Sequence, residues 1–185
     1  MSKKIKILDP NSELAIEGLL VDKGVCVSKK QSADELSSRG YGIAEGKALL
    51  LTHYEALYLL DKQMLKVEDE EGSKVDFQKL VQRYESINEN AWAGYLVYRD
   101  LRSRGYVVRE GFGSKVDFRV YDRGDYSKDV AKYLIVSVQE GKPISIQDLA
   151  NSLTESLSLK KELVLAVINR RGEIVYYSVS ELTLN

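Results

Sequence analysis

Histidine and cysteine are nearly absent from this chain, with one residue of each among 185. A single thiol, Cys26, cannot form an internal disulfide or a cysteine-based zinc site, so we expect a buried structural thiol in a reducing cytoplasm. The only histidine, His53, lies in the first turn of a predicted helix, where we expect it to be solvated. A disulfide scaffold and a cysteine-based zinc protein are therefore excluded.

Long apolar runs and an excess of charge of one sign are also missing. No apolar run approaches the roughly 20 residues that a membrane-spanning helix needs. The first six residues are too few and too charged for a signal peptide. With 27 basic and 28 acidic residues the net charge is −1, so any contact with nucleic acid must come from a local patch. We expect a cytoplasmic protein with no membrane contact.

The residues that are present predict a chain in two parts that pack on each other. We predict an α+β N-terminal subdomain, residues 1–85, followed by an α/β C-terminal domain, residues 86–185, with a mixed sheet flanked by helices. In the first part, Asp22, Lys23 and Gly24 indicate a hairpin turn, and Thr52 with Glu55 indicates a capping box at a helix start.

The second part begins with a helix predicted over residues 88–104, with Trp92, Leu96 and Leu101 facing inward. Strands are predicted over 106–108, 116–121, 133–138, 163–168 and 174–179, with one helix over 146–157. A run of strands crossed by one helix indicates a mixed sheet with helices against it.

Asp117, Glu140 and Lys142 suggest one possible chemistry. Metal-dependent nucleases place an aspartate on one strand and a Glu-x-Lys pair on the next, where the acids bind Mg²⁺. Here Gly141 and Pro143 surround the lysine, a composition typical of a turn after a strand. The metal site at Asp117 and Glu140 is therefore an alternative, and no metal is expected.

Five segments, in order along the chain, resemble the archaeal tRNA-splicing endonuclease family. They are residues 54–60, 98–108, 117–121, 132–134 and 161–166. The resemblance implies a C-terminal domain of the tRNA-intron endonuclease type, which is similar to restriction nucleases. It also implies cleavage of pre-tRNA introns without a metal or other cofactor, by attack of a ribose 2′-hydroxyl on the adjacent phosphate.

In that family a tyrosine acts as base, a histidine as acid and a lysine as the cation that stabilises the phosphorane. The resemblance assigns the tyrosine position to Tyr121 and the lysine position to Lys161, but the histidine position is Val130. A family arginine that helps to clamp a bulge base is Thr154 here. We therefore expect no catalytic residue in this chain, and structural roles for Tyr121 and Lys161.

The resemblance also implies a tetramer with two kinds of contact. One pairs C-terminal strands and buries their edges. The other inserts the loop after the lysine-bearing strand, which is normally acidic, into a basic pocket of the opposite subunit. That loop is 169–173 here and is more basic than usual in the family. The residues expected at these contacts are Arg170, Arg171, Glu173, Val175, Tyr177, Leu182 and Leu184.

The sequence thus predicts a structural subunit of a heterotetrameric tRNA-splicing endonuclease, with two copies of each chain. Its expected partners are a catalytic subunit with all three residues and a pre-tRNA with a bulge-helix-bulge. One alternative is a self-sufficient RNA endonuclease that uses Tyr121 and Lys161 with a different acid, or a metal at Asp117 and Glu140. Another is a non-catalytic RNA-binding scaffold.

Overall fold

The first sheet is built from short strands near the N-terminus. The computed structural model describes residues 16–112, 116–122 and 131–182. Within these ranges the sheet has the order β3-β4-β2-β1-β5-β6. Its strands are β1 (Ile16–Val21), β2 (Gly24–Val27), β3 (Ile43–Glu45), β4 (Ala48–Leu51), β5 (Leu65–Glu68) and β6 (Lys74–Val75). The predicted hairpin is confirmed, because β1 and β2 pair antiparallel with Val21 opposite Gly24.

The helices of this part and the next are α1 (Lys30–Ser38), α2 (His53–Asp61), α3 (Phe77–Glu85) and α4 (Ala91–Ser103). The predicted capping box starts α2: the Glu55 amide donates to Thr52 Oγ1 at 3.5 Å, and the Thr52 amide donates to Glu55 Oε2 at 2.9 Å. These bonds satisfy amides that the first turn of a helix leaves without partners.

Three side chains are placed differently from the sequence prediction. Cys26 was expected to be buried but is only partly buried, because it lies on β2 outside the packed core. His53 was expected in solvent but is buried, because its ring stacks on Tyr84 of α3 with centroids 4.3 Å apart. Trp92 was expected to face inward but is 43% exposed. Its ring packs edge-on against Phe77 and beside Tyr95, which leaves the rest of the indole in solvent.

The second sheet is mixed, as predicted. It has the order β11-β10-β9-β8-β7, with β9 and β10 parallel and the other neighbours antiparallel. Its strands are β7 (Val107–Glu110), β8 (Phe118–Tyr121), β9 (Tyr133–Gln139), β10 (Glu162–Ile168) and β11 (Ile174–Val179). Helix α5 (Ile146–Ser158) connects the two parallel strands, which need a crossover of this kind. Ser145 caps α5, because its Oγ accepts a hydrogen bond from the Asp148 amide at 3.4 Å.

One core joins the two sheets and the helices between them. Tyr54 of α2 packs edge-on against Phe118 of β8, with centroids 5.0 Å apart, and lies near Tyr98 of α4. Gly94 makes room for this contact, because a Cβ there would lie 2.5 Å from the Tyr54 hydroxyl oxygen. A smaller cluster around Leu134 and Leu163 fills the opposite face of the second sheet, under α5. Helix α4 therefore packs on one face of the second sheet, and α5 packs on part of the other face.

A buried ion pair also joins the two parts. Arg109 of β7 donates from Nη1 to Glu55 Oε1 at 3.1 Å, and the two side chains are 13% and 2% exposed. The same guanidinium donates to the carbonyls of Gly40 and Gly42, at 3.2 and 2.6 Å. Arg102 of α4 lies 3.8 Å above the Tyr41 ring. Two arginines of the second part thus hold one loop of the first part.

A candidate active-site cavity on the second sheet

A cavity of about 520 Å³ lies on the α5 face of the second sheet, and both Tyr121 and Lys161 line it. Strand pairing brings them together. The end of β8 pairs with the start of β9, where Val120 lies opposite Tyr133, and Tyr133 lies opposite Glu162 at the start of β10. Tyr121 and Lys161, 40 positions apart in the chain, therefore meet at the same end of three neighbouring strands.

The main chain holds Lys161, which lines this cavity. Its Nζ donates to the carbonyl of Ala131 at 2.6 Å, and Ala131 also lines the cavity. Lys160, with φ of 54°, lies two residues after the end of α5 and turns the chain toward β10. The Lys161 ammonium thus ties the start of β10 to the segment just before β9.

Tyr121 is buried at the end of β8, and Arg119 lies two residues earlier, on the same face of the strand. Arg119 donates from Nε to the Glu110 carbonyl at 3.0 Å and lines the cavity. The cavity is completed by Phe112 and by α5 side chains that include Glu155. Sequence reasoning missed these three residues, although the two-residue period of β8 identifies Arg119.

None of the described residues that line the cavity is a histidine. Val130 lies outside the described residues, so the histidine position predicted from the sequence stays a prediction. The chain's single histidine, His53, is in α2 and is stacked on Tyr84. Burial, and then the charge of Arg83, lower the pKa of His53 below its ordinary value of 6.5. His53 is therefore a neutral core side chain that is not part of this cavity.

The arrangement around Asp117 and Glu140 differs from a metal site. The Asp117 carboxylate accepts a hydrogen bond from the Ser137 amide at 2.6 Å, while Glu140 lies exposed in the turn after β9. Lys142 Nζ contacts Asn90 Oδ1 at 3.2 Å. In the described ranges, histidine, cysteine and acidic side chains form no group of three or more that would hold a metal ion. The metal alternative gains no support from the structure.

The predicted contact loop between β10 and β11 is a preorganised turn. Asn169 Oδ1 accepts from the amides of Arg171 and Glu173 at 2.8 and 3.0 Å, and Asn169 Nδ2 donates to Glu173 Oε2 at 2.6 Å. The side chains of Arg170 and Arg171 are exposed. The loop therefore holds two arginines in solvent at the end of a fixed hairpin.

Strand β11 ends the second sheet, so its outer edge has no strand partner among the described residues. Val175 and Tyr177 are 51% and 53% exposed, and Leu182 is exposed beyond the strand, whereas Leu184 lies outside the described residues. Strand register aligns Val175 and Tyr177 with apolar neighbours on the α5 face. This open apolar face consists of Val136, Val138, Leu165, Val167, Val175 and Tyr177.

In the described ranges, no helix combines the length and the apolar character that crossing a membrane requires.

Comparison with known proteins agrees with this architecture. The family model of the tRNA intron endonuclease N-terminal domain matches residues 16–81. The family model of the catalytic C-terminal domain of the tRNA intron endonucleases matches residues 91–176. The tRNA-splicing endonuclease of Methanococcus vannielii is 32% identical over 169 residues, which cover 91% of this chain and 96% of that protein. That of Pyrococcus furiosus is 34% identical over 165 residues, which cover 89% and 95%. The chain belongs to the tRNA intron endonuclease family.

Proposed function

We propose that this chain is a non-catalytic, structural subunit of a tRNA-splicing endonuclease that excises introns from pre-tRNA together with a homologous catalytic subunit. One observation carries the proposal. The cavity with Tyr121 and Lys161 has no histidine among its described lining residues, and the chain's single histidine is stacked in the core.

The chemistry explains why this absence matters. Attack by a 2′-hydroxyl needs a group to take its proton, a cation for the phosphorane, and an acid to protonate the departing 5′ oxygen. Tyr121 and Lys161 correspond to the first two groups, and Val130 corresponds to the third. A valine side chain carries no transferable proton. Since general acid–base catalysis contributes about 10²–10⁴-fold to a rate, its loss alone makes such a site ineffective.

The contact of Lys161 supports the same proposal. Its ammonium donates to the Ala131 carbonyl at 2.6 Å, a contact that joins two chain segments. This lysine therefore has a structural role that does not depend on catalysis. Lys161 would then be retained in a non-catalytic subunit because its contact with Ala131 stabilises the domain.

Assembly with a second subunit is supported by β11. Its outer edge, which no described strand pairs with, can extend an antiparallel sheet, and the open apolar face beside it would leave water on association. We propose that β11 and Leu182 pair with the catalytic subunit, in a tetramer with two copies of each chain. We also propose that Arg170 and Arg171 form part of a subunit contact, to an acidic site of the partner.

The test is cleavage of a bulge-helix-bulge pre-tRNA by the purified chain, in EDTA and in Mg²⁺, with and without the homologous histidine-bearing subunit. We expect no cleavage by the chain alone. The mixture should give 2′,3′-cyclic phosphate and 5′-hydroxyl ends in EDTA. Cleavage by the chain alone in EDTA would overturn the proposal.

A second candidate, a self-sufficient nuclease, is favoured by Glu155. Its side chain lines the same cavity as Tyr121 and Lys161, and a protonated carboxyl is a possible acid for the leaving oxygen. This candidate predicts cleavage by the lone chain, and loss of that cleavage in Glu155→Gln. Activity that survives Glu155→Gln would exclude Glu155 as the acid.

A further inference from the structure

The cavity keeps hydrogen-bond donors that the fold does not use. An ammonium has three donors and a guanidinium has five. Lys161 uses one on the Ala131 carbonyl, and Arg119 uses its Nε–H on the Glu110 carbonyl. Across the part of the chain that the structure describes, neither side chain has an ion-pair partner. Both cations therefore retain donors for an anion.

The balance of charge in the cavity also favours an anion. Arg119 and Lys161 contribute two positive charges, and Glu155 contributes one negative charge, which leaves a net charge of +1. Charge-assisted bonds from arginine or lysine to phosphate are among the strongest that a protein surface offers. A phosphate is the anion that an RNA provides at every nucleotide.

The remaining lining suits the rest of a nucleotide. Phe112 is half-buried, packs against the cluster around Leu134 and Leu163, and lines the cavity. An aromatic ring that lines a cavity is a platform on which bases of any sequence stack. The volume, about 520 Å³, lies within the range of about 300–1,000 Å³ for small-molecule sites.

We propose that this cavity binds a single nucleotide of RNA and holds it without cleaving it. The phosphate contacts Arg119 and Lys161, and the base lies against Phe112. The absence of cleavage rests on the proposed non-catalytic role, whereas the binding rests on the cavity itself. The chain would thus contribute an RNA-holding site to the assembly.

The test is an NMR titration of the full chain with adenosine 3′-monophosphate, with adenosine as the control without phosphate. We expect saturable shifts around the cavity with a Kd of about 1 mM, and binding by adenosine about tenfold weaker or less. Arg119→Gln and Lys161→Met should each weaken nucleotide binding about tenfold, the effect of losing one charge-assisted bond. Lys160→Met is the matched control, and its affinity should stay within about twofold of wild type.

The proposal is overturned if no saturable shift occurs, or if Lys160→Met weakens binding as much as the two cavity variants. If Lys161→Met fails to fold, because the Ala131 contact is lost, Arg119→Gln alone decides the outcome. Adenosine 3′-monophosphate contains no phosphodiester bond to cleave, so this result is independent of the pre-tRNA assay. Failure to bind would leave the structural-subunit proposal standing, and cleavage by the lone chain would leave the binding result standing.

Discussion

Breaking the buried ion pair between Glu55 and Arg109 should lower the free energy of unfolding by an amount that can be worked out from its contacts. Arg109→Met keeps the volume of the side-chain stem but removes the only cation bonded to Glu55 in the described part of the chain. It also leaves the carbonyls of Gly40 and Gly42 without this donor. Breaking a buried pair by removing one partner costs about 3–5 kcal/mol. We expect a loss of that size in the free energy of unfolding.

The matched control is Arg39→Met. Arg39 forms an exposed pair with Glu35 of α1 at 3.7 Å, with side chains 47% and 58% exposed. Such pairs contribute about 0.5 kcal/mol or less. Denaturant unfolding followed by circular dichroism measures both variants, and an unchanged m-value shows that the same surface is exposed in each.

A double-mutant cycle separates the ion pair from the other contacts of Arg109. With Glu55→Gln already present, Arg109→Met should cost about 1–3 kcal/mol less, because no buried charge is left unpaired. Burial raises the pKa of Glu55 and the charge of Arg109 lowers it, so loss of Arg109 should raise this pKa further. The deficit of the single variant should therefore shrink as the pH falls and Glu55 takes up a proton. Equal costs for Arg109→Met and Arg39→Met, or no coupling in the cycle, would refute the reasoning.

Two further predictions concern His53 and the edge strand β11. Because burial lowers the pKa of His53 below its unfolded value, the unfolded chain binds more protons, and stability should fall as the pH drops below about 6.5. His53→Phe keeps a ring against Tyr84, so its loss of Tm between pH 7.5 and 5.5 should be smaller than that of wild type by about 2 °C or more. An equal loss of Tm would argue against a buried, neutral His53. Val175→Asp should disrupt assembly with the partner subunit, as measured by sedimentation. The control is Ile43→Asp, on the other sheet and similarly exposed at 52%, which should leave assembly unchanged. Equal effects of the two changes would exclude a special role for β11.

Local features of the fold were predictable from the sequence because they depend on neighbouring residues. The turn at Asp22 to Gly24 and the capping box of Thr52 and Glu55 involve residues two or three positions apart. The alternation of strands with a single crossover helix likewise predicted a mixed second sheet. These elements follow from propensity and periodicity alone.

Long-range contacts were not predictable in this way. Glu55 was identified only as part of a capping box, whereas its partner Arg109 lies 54 positions later and belongs to the other sheet. His53 was expected in solvent because helix starts are usually exposed, but the packing of α3 over α2 buries it. The boundary between residues 85 and 86 stays a prediction, since one core runs through both parts.

The candidate site was predictable in part. The resemblance identified Tyr121 and Lys161, and the pairing of β8, β9 and β10 brings both into one cavity. Phe112 and Glu155 come from a loop and a helix whose positions depend on the tertiary fold, so no local pattern identifies them. The interface assignments on β11 and its loop also stay predictions.

The central claim is that the chemistry belongs to the partner subunit. Its most direct test is single-turnover cleavage of pre-tRNA, at saturating RNA, by the reconstituted assembly with Tyr121→Phe in this chain or the matching tyrosine-to-phenylalanine change in the partner. We predict a rate within about twofold of wild type for Tyr121→Phe, and a loss of about 10²–10⁴-fold for the partner's change. A comparable loss from Tyr121→Phe in this chain would contradict the account.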